Sequence, residues 1–328
     1  LTGGEPLVPT EALPARPRPN ARDGPTRWFG YRRRPTFQPA EQTVGWLFSG
    51  PAVVLLTLFI VVPFLLAVGL SFTNQRLLSP LPVRLVGMEN YRRIFADPVF
   101  QRSLVNNAVF TVVVVPVQTA FALWLAVLVN QKIRFISLFR TAYFAPVVMI
   151  MAVAATIWKL LYDPDIGIID GVLRAVTGGH LSPSWLRSSA LALIAVIFMS
   201  IWQGVGFQMV VLLAGLQDVD RELYEAAEID GASQWQQFRY ITVPGLRNQL
   251  VFVATVTTIL SFRLFDQVYV MTRGGPLDAT QTMMTRLVDV GFNQQAIARG
   301  SAIAVVFFLI VCVVTLVQRL LLREREAD

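Results

Sequence analysis

YEAAEIDGASQWQQFRYITVP, residues 224–244, is the one long polar run between two apolar segments, which end near Leu216 and begin near Leu250. Asp220, just ahead of this run, is a residue type that caps helix N-termini. Gly231 is suited to end that helix, because glycine readily adopts the positive φ found at helix C-termini. These local signals predict a short polar helix inserted into an apolar body.

A second short helix is predicted directly after the first. Ser233 and Gln236 have the spacing of a capping box, and Trp235 and Phe238 lie one turn apart on one face. Pro244 is expected to break this helix. The pattern fits an amphipathic helix pair resting on a membrane as well as it fits a surface for a protein partner.

The composition indicates a polytopic membrane protein. Of 328 residues, 54% are hydrophobic and only 15% are charged, which is too apolar for a soluble enzyme of this length. The net charge of +7 could suggest nucleic acid as a partner. Arginines scattered between apolar runs are explained more simply by membrane lipid headgroups and the positive-inside rule, so we expect no nucleic-acid binding.

Several kinds of catalytic and cofactor site are excluded by residues that the sequence lacks. Cys312 is the single cysteine and His180 the single histidine, so one chain cannot assemble a disulfide, a zinc cluster or a Ser-His-Asp triad. The two lysines, Lys132 and Lys159, follow no GxxxxG stretch, so we expect no nucleotide-binding loop and no catalytic residues. If ATP drives this protein, another subunit binds ATP and Mg²⁺, and this chain needs no cofactor or metal.

Six apolar runs define the predicted organisation. Residues 1–45 are rich in Pro and Arg and are expected to form a disordered cytoplasmic tail, while residues 46–322 form the membrane domain and residues 323–328 a second cytoplasmic tail. Each run has about the 20 residues that a membrane-spanning helix needs. The predicted spans are 46–72, 106–130, 141–161, 190–216, 249–270 and 301–322.

The orientation follows from the distribution of basic residues. Lys132, Arg134 and Arg140 lie in the short loop between the second and third spans, which favours placing this loop in the cytoplasm. With six spans, both termini then face the cytoplasm. We therefore expect a multi-pass protein of the inner, cytoplasmic membrane.

The polar insert resembles the EAA loop of ABC importer permeases. The match comprises Glu225-Ala226-Ala227, Gly231 after three residues, Ile241 after nine more, and Pro244 three positions further on, with Val243 where the family usually has leucine. The resemblance implies that the loop, residues 217–247, is the coupling helix that docks on an ATPase subunit. The implied coupling residues are Glu225, Ala226, Ala227, Asp230, Gly231, Ile241 and Pro244.

Further motifs resemble the sugar-type permeases of this family, which include maltose and glycerol 3-phosphate permeases. They are Gly87–Tyr91, the set Arg140, Tyr143, Phe144, Pro146 and Trp158, the stretch Leu213–Gln217, and the run Phe265–Asp266, Tyr269, Thr272 and Gly274–Pro276. The sequence departs from the usual pattern at Asp220 and at Arg263. The resemblance implies an ATP-driven sugar importer with an ATPase dimer, a second permease subunit and an extracytoplasmic binding protein.

Charged residues in the fifth apolar run are candidates for the solute path. Arg263 and Asp266 are three residues apart, and Gln267 is beside them, so we expect them on one face of a membrane helix. They either pair within the helix and support packing or line a route for solute. Gln203 and Gln208 of the fourth run are further candidates for the same path.

Three alternative functions remain open at this stage. A glycerol 3-phosphate or other polyol permease shares the same motifs, and Arg263 would suit its anionic solute. A secondary transporter would need no ATPase, but the chain shows no clear internal repeat. A membrane-embedded enzyme would need clustered ligands, and the three nearby acidic residues are better explained as loop caps and turns; they are Asp163, Asp165 and Asp170.

Overall fold

The structure is a computed structural model that describes residues 39–78, 82–131, 135–178, 180 and 183–322. Most of the predicted N-terminal tail, the C-terminal tail 323–328, and the loop residues Lys132 and Arg134 lie outside these ranges. Residues 39–45, at the end of the predicted tail, are helical.

All regular elements of the described residues are helices. In chain order they are α1 (Pro39–Leu56), α2 (Val62–Ser71), α3 (Glu89–Ala96), α4 (Pro98–Val129), α5 (Ile136–Val148), α6 (Met151–Leu161), α7 (Ile168–Thr177), α8 (Ala192–Asp218), α9 (Arg221–Ile229), α10 (Gln234–Gln237), α11 (Val243–Gly245), α12 (Arg247–Phe262), α13 (Asp266–Met271), α14 (Met283–Val288) and α15 (Ile297–Leu322). Short π-helical segments follow α1, α10 and α14, at Thr57–Val61, Phe238–Thr242 and Asp289–Asn293. The predicted all-α membrane fold is confirmed.

Four helical stretches of the described chain are long and apolar enough to cross a bilayer. They are Gly45–Ser71, Pro98–Val129, Ala192–Asp218 and Ile297–Leu320. Two bent pairs could each supply one more span: α5 with α6, bent by 101°, and Gln234–Gly245 with α12, bent by 67°. The described residues thus contain four helices that are able to span a membrane, or up to six spans if each bent pair forms one.

The third predicted span, 141–161, is not one continuous helix. Met149 and Ile150 have extended backbone angles and separate α5 from α6. Pro146 lies within α5 near this break and cannot donate a backbone hydrogen bond. The chain turns by 101° between α5 and α6, three residues after this proline.

The fifth predicted span, 249–270, is also interrupted. Helix α12 ends at Phe262, and α13 begins only at Asp266. The freed carbonyl groups find partners on distant elements: the buried Asn107 amide contacts the oxygens of Ser261 and Phe262 at 3.4 and 3.3 Å. The Thr282 hydroxyl donates to the Leu264 oxygen at 2.8 Å. Interrupted helices are tolerated at membrane depth when side chains satisfy the backbone in this way.

The chain divides into two compact units, Leu1–Leu58 and Phe59–Asp328. The apolar core lies in the second unit. Three apolar clusters form its core: one joins α4, α6, α8 and α13, one joins α4, α8 and α12, and one joins α3, α14 and α15. Helices α5 and α8 approach closely at Gly206. A Cβ atom there would lie 2.3 Å from the Tyr143 carbonyl oxygen, so glycine is required for this packing.

Candidate functional site

The first half of the polar insert forms the predicted capped helix. The Asp220 side chain accepts a hydrogen bond from the Glu222 backbone N–H at 3.0 Å and so caps α9. The helix ends as expected: Gly231 has φ +76°, and the Ala232 N–H donates to the Ala227 oxygen at 2.9 Å. Both signals are local, which is why the sequence alone predicted them.

The second half contains the predicted capping box and ends beside Pro244. The Ser233 N–H donates to Gln236 Oε1 at 2.7 Å, and the rings of Trp235 and Phe238 stack with centroids 5.5 Å apart. The helical stretch Gln234–Gly245 ends directly after Pro244, as predicted, and the chain bends by 67° between this stretch and α12.

The insert exposes most of its surface within this chain. No side chain of α9 is buried, and Ile229 and Trp235 are 87% and 67% exposed. A hydrogen bond of 2.9 Å between the hydroxyls of Tyr224 and Thr242 ties α9 to the segment after α10. Of the predicted coupling residues, Ala227 and Ile241 are half-buried and the others are exposed: Glu225, Ala226, Asp230, Gly231 and Pro244.

A cavity of about 440 Å³ lies between α4, α5, α8, α12 and α13 and the start of α6, with polar groups set in a partly apolar wall. Four of the five predicted path residues line it: Gln203, Arg263, Asp266 and Gln267. The tertiary structure therefore brings together residues from the fourth and fifth predicted spans.

The break after α12 determines how the two charges are presented. Arg263 follows the last residue of α12, and Asp266 is the first residue of α13. They do not share one helix face, so the predicted intrahelical arrangement is wrong. Within the described part of the chain, ion pairs form elsewhere and none joins these two residues. Both charged side chains are exposed at the cavity wall.

Neutral polar side chains complete the wall. The Gln267 amide lies 3.4 Å from the Ser200 hydroxyl, which itself donates to the Val196 oxygen at 2.8 Å. Gly204 makes room for Gln118, because a Cβ at Gly204 would lie 2.7 Å from the Gln118 amide nitrogen. The cavity thus presents amide and hydroxyl groups beside one cation and one anion.

Gln208, the fifth predicted path residue, does not line the cavity. It is fully buried, and its amide donates to the hydroxyl of Thr257, which does line the wall. The sequence reasoning missed Thr257 and three other polar lining residues, Gln118, Ser200 and Ser261. Each is a polar residue in an otherwise apolar run, which could have marked it in the sequence, but such residues also occur at helix contacts.

Of the three acidic residues near α6, Asp163 stabilises a turn, as the sequence indicated. The carboxylate of Asp163 accepts hydrogen bonds from the backbone N–H groups of Asp165 and Ile166, at 2.9 and 3.2 Å, and these bonds lower its pKa. Asp170 is buried and accepts a hydrogen bond from the indole of Trp185 at 2.7 Å. The described residues contain no group of three or more His, Cys, Asp and Glu side chains placed to hold a metal ion.

Comparisons with known proteins agree with this architecture. Residues 94–326 match the family described as binding-protein-dependent transport system inner membrane component. A probable ABC transporter permease protein of Pyrococcus horikoshii is 35% identical over 270 residues, covering 82% of this chain and 92% of the relative. The lactose transport system permease protein LacF of Rhizobium radiobacter is 33% identical, covering 86% and 95%.

Solved structures show the same fold. A bacterial ABC transporter that imports the acidic polysaccharide alginate matches with a TM-score of 0.75 at 18% identity, covering 88% of this chain and 99% of that chain. At this identity the likeness concerns the fold alone. Because the family match covers more than half of the chain and several relatives exceed 30% identity, the chain belongs to the family of binding-protein-dependent transport system inner membrane components.

Proposed function

We propose that this chain is a permease subunit of an ATP-driven, binding-protein-dependent importer whose solute is a sugar or an oligosaccharide. Relatives at 30% identity or above include permease proteins named for lactose, starch degradation products, arabinooligosaccharides and diacetylchitobiose. Their names support the solute class for this chain.

The observation that carries the proposal is the polar cavity. Its volume of about 440 Å³ is within the range of about 300–1,000 Å³ typical of ligand pockets. Its polar wall is rich in amide and hydroxyl groups, each of which donates and accepts hydrogen bonds. A polyhydroxylated solute needs such dual partners, because each of its hydroxyls must be satisfied once water is removed.

The exposed polar insert is proposed to bind the ATPase. It presents apolar side chains, such as Ile229 and Trp235, beside the acidic residues Glu225 and Asp230, on a surface that this chain leaves uncovered. The assembly would contain an ATPase dimer that binds ATP and Mg²⁺, a second permease subunit and an extracytoplasmic binding protein. The insert and both termini then face the cytoplasm.

Transport would proceed by alternating access. When ATP closes the ATPase dimer, the docked insert moves with it, and its helical connection to α12 passes the motion to the cavity wall. Leu246, at the turn between α11 and α12, is fully buried in the core shared by α4, α8 and α12. A displacement of the insert therefore reaches the helices that surround the cavity.

The proposal is tested by uptake in proteoliposomes that contain the whole importer. Gln203→Leu and Gln267→Leu should impair sugar uptake while the complex still assembles. Thr156→Val is the matched control, because Thr156 is exposed on α6, outside the cavity, and bonds only within its own helix. Uptake that continues without ATP or the ATPase would refute the proposal of an ATP-driven importer and would indicate a secondary transporter.

An anionic polyol, such as glycerol 3-phosphate, is a second candidate solute, favoured by the placement of Arg263. This guanidinium is exposed at the cavity wall and forms no ion pair among the described residues. Arg263→Met should abolish uptake of a phosphorylated polyol but only reduce uptake of a neutral sugar. The double variant Arg263→Met/Asp266→Leu removes both charges from the cavity wall. Normal solute uptake by this variant would show that the two residues have a structural role only.

A further inference from the structure

A second polar pocket lies where α3 and the loop before it meet the start of α15. Its lining residues all differ from those of the cavity. Its volume is about 290 Å³. Three arginines line it, Arg76, Arg93 and Arg299, and Glu89 is the single acidic residue among its lining. The pocket is therefore cationic, unlike the mixed wall of the cavity.

Backbone and side-chain hydrogen bonds hold the walls of this pocket in place. The Leu77 N–H donates to the Gln295 oxygen at 2.9 Å, and the Ala298 N–H donates to the Gln75 oxygen at 3.1 Å. These two bonds join the loop after α2 to the start of α15. The buried Asn90 amide donates to the carbonyl oxygens of Ser71, at the end of α2, and Thr73, in that loop, at 2.8 and 2.7 Å. The pocket is a built feature of the fold.

The positive charge of the pocket is only partly neutralised within the described chain. Glu89 is committed to Arg93, with an N–O distance of 2.8 Å. Neither Arg76 nor Arg299 takes part in an ion pair among the described residues, and Arg286 nearby is committed to acidic partners of its own. Guanidinium groups that share a small pocket repel one another, so a bound anion would stabilise this arrangement.

The position of the pocket indicates where that anion comes from. One span-length helix ends at Ser71, just before the pocket, and another begins at Ile297, within it. Two span ends meet at the boundary between hydrocarbon and water, which is the depth of the lipid headgroups. Leu85 and Met88 are adjacent in sequence to pocket residues. Both side chains are apolar and exposed, which suits contact with lipid acyl chains.

We propose that this pocket binds the phosphate group of an anionic phospholipid. Arginine suits a phosphate because its planar guanidinium donates two parallel hydrogen bonds to neighbouring oxygens. A net negative headgroup is preferred over a zwitterionic one because Arg76 and Arg299 have no acidic partner here, while a choline cation would meet like charge. This site is separate from the solute cavity and does not depend on the proposed function.

The test measures lipid affinity of the purified full chain in detergent. Short-chain phosphatidylglycerol, short-chain phosphatidylcholine and inorganic phosphate are titrated separately by microscale thermophoresis. Saturable binding is expected for phosphatidylglycerol, with at least ten-fold weaker binding of the other two. Arg76→Gln and Arg299→Gln should each weaken phosphatidylglycerol binding about five-fold, and the double variant about thirty-fold.

Arg92→Gln is the matched control, since Arg92 is an exposed arginine on α3 that does not line the pocket. If it weakens binding as much as Arg76→Gln does, the lipid is attracted by the surface in general and the site is refuted. Equal affinity for inorganic phosphate would assign the pocket to a dissolved anion and overturn the lipid assignment. Arg76 is exposed, so its variant tests the site even if the double variant fails to fold.

Discussion

The Asn107 side chain is expected to hold the interrupted helix α12–α13 in its observed conformation. It lies on α4 and is fully buried. Its amide oxygen accepts a hydrogen bond from the Met283 N–H at 2.8 Å, and its amide nitrogen contacts the Ser261 and Phe262 oxygens. Asn107→Leu conserves the approximate volume of the side chain but removes all three interactions.

The magnitude follows from the geometry of these contacts. The Met283 N–H would lose a short hydrogen bond in a buried position, which costs about 1–3 kcal/mol. The two longer contacts, at 3.4 and 3.3 Å, should contribute about 0.6 kcal/mol each, the average for polar contacts between membrane helices. The free energy of unfolding should therefore fall by about 2–4 kcal/mol.

The measurement is denaturation of the purified chain in detergent, followed by hydrogen exchange at the Met283 amide. Asn248→Leu is the control, because Asn248 is an exposed asparagine on α12. Asn107→Leu should unfold at lower denaturant than the control, and its Met283 amide should exchange faster. Equal stability of the two variants, with a protected Met283 amide, would show that the break is maintained by other contacts.

Three further predictions concern the helix contact, the insert and the topology. Gly206→Ala should destabilise the chain by about 1–3 kcal/mol, because its Cβ would lie 2.3 Å from a carbonyl oxygen of α5. The control Gly69→Ala has open space around its Cβ and should not destabilise the chain, so similar melting temperatures of the two variants would contradict this prediction. Gly231→Trp should strain a turn at φ +76° and uncouple ATP hydrolysis from solute uptake, whereas Gly231→Asn should be tolerated. Normal uptake by the Gly231→Trp variant would count against a coupling role for the insert. In a cysteine-free background, Ile229→Cys and Leu277→Cys, both highly exposed positions, should react with an impermeant thiol reagent from opposite sides of the membrane; labelling from one side would refute the proposed orientation.

The polar insert was predictable because its signals are local. A capping side chain acts within three residues, and a glycine at positive φ depends mainly on its own backbone. Asp220, Gly231 and the Ser233–Gln236 capping box therefore appear in the structure as expected. The end of the helical stretch Gln234–Gly245 beside Pro244 is local in the same way, because it reflects a property of the proline itself.

The predicted path residues show that the sequence of one helix does not determine which of its polar residues face the cavity. Arg263 and Asp266 were correctly selected as unusual charges in an apolar run, but their arrangement was inferred from a continuous helix that does not exist. Gln208 could not be separated from Gln203 by sequence, because both are glutamines of α8. Only the neighbouring helices decide that Gln203 faces the cavity and Gln208 faces Thr257.

The sequence by itself determined the helical membrane class, the family and the capped insert, since these depend on composition, apolar run length and short-range spacing. Tertiary structure alone decided the breaks at Met149–Ile150 and after Phe262, the polar cavity, and the arginine pocket at the start of α15. The break after Phe262, the cavity and the arginine pocket each join residues that are far apart in the chain, such as Asn107 with Met283. The energy of a freed carbonyl or an uncompensated charge depends on which distant group approaches it, and no pattern along a single segment contains that information.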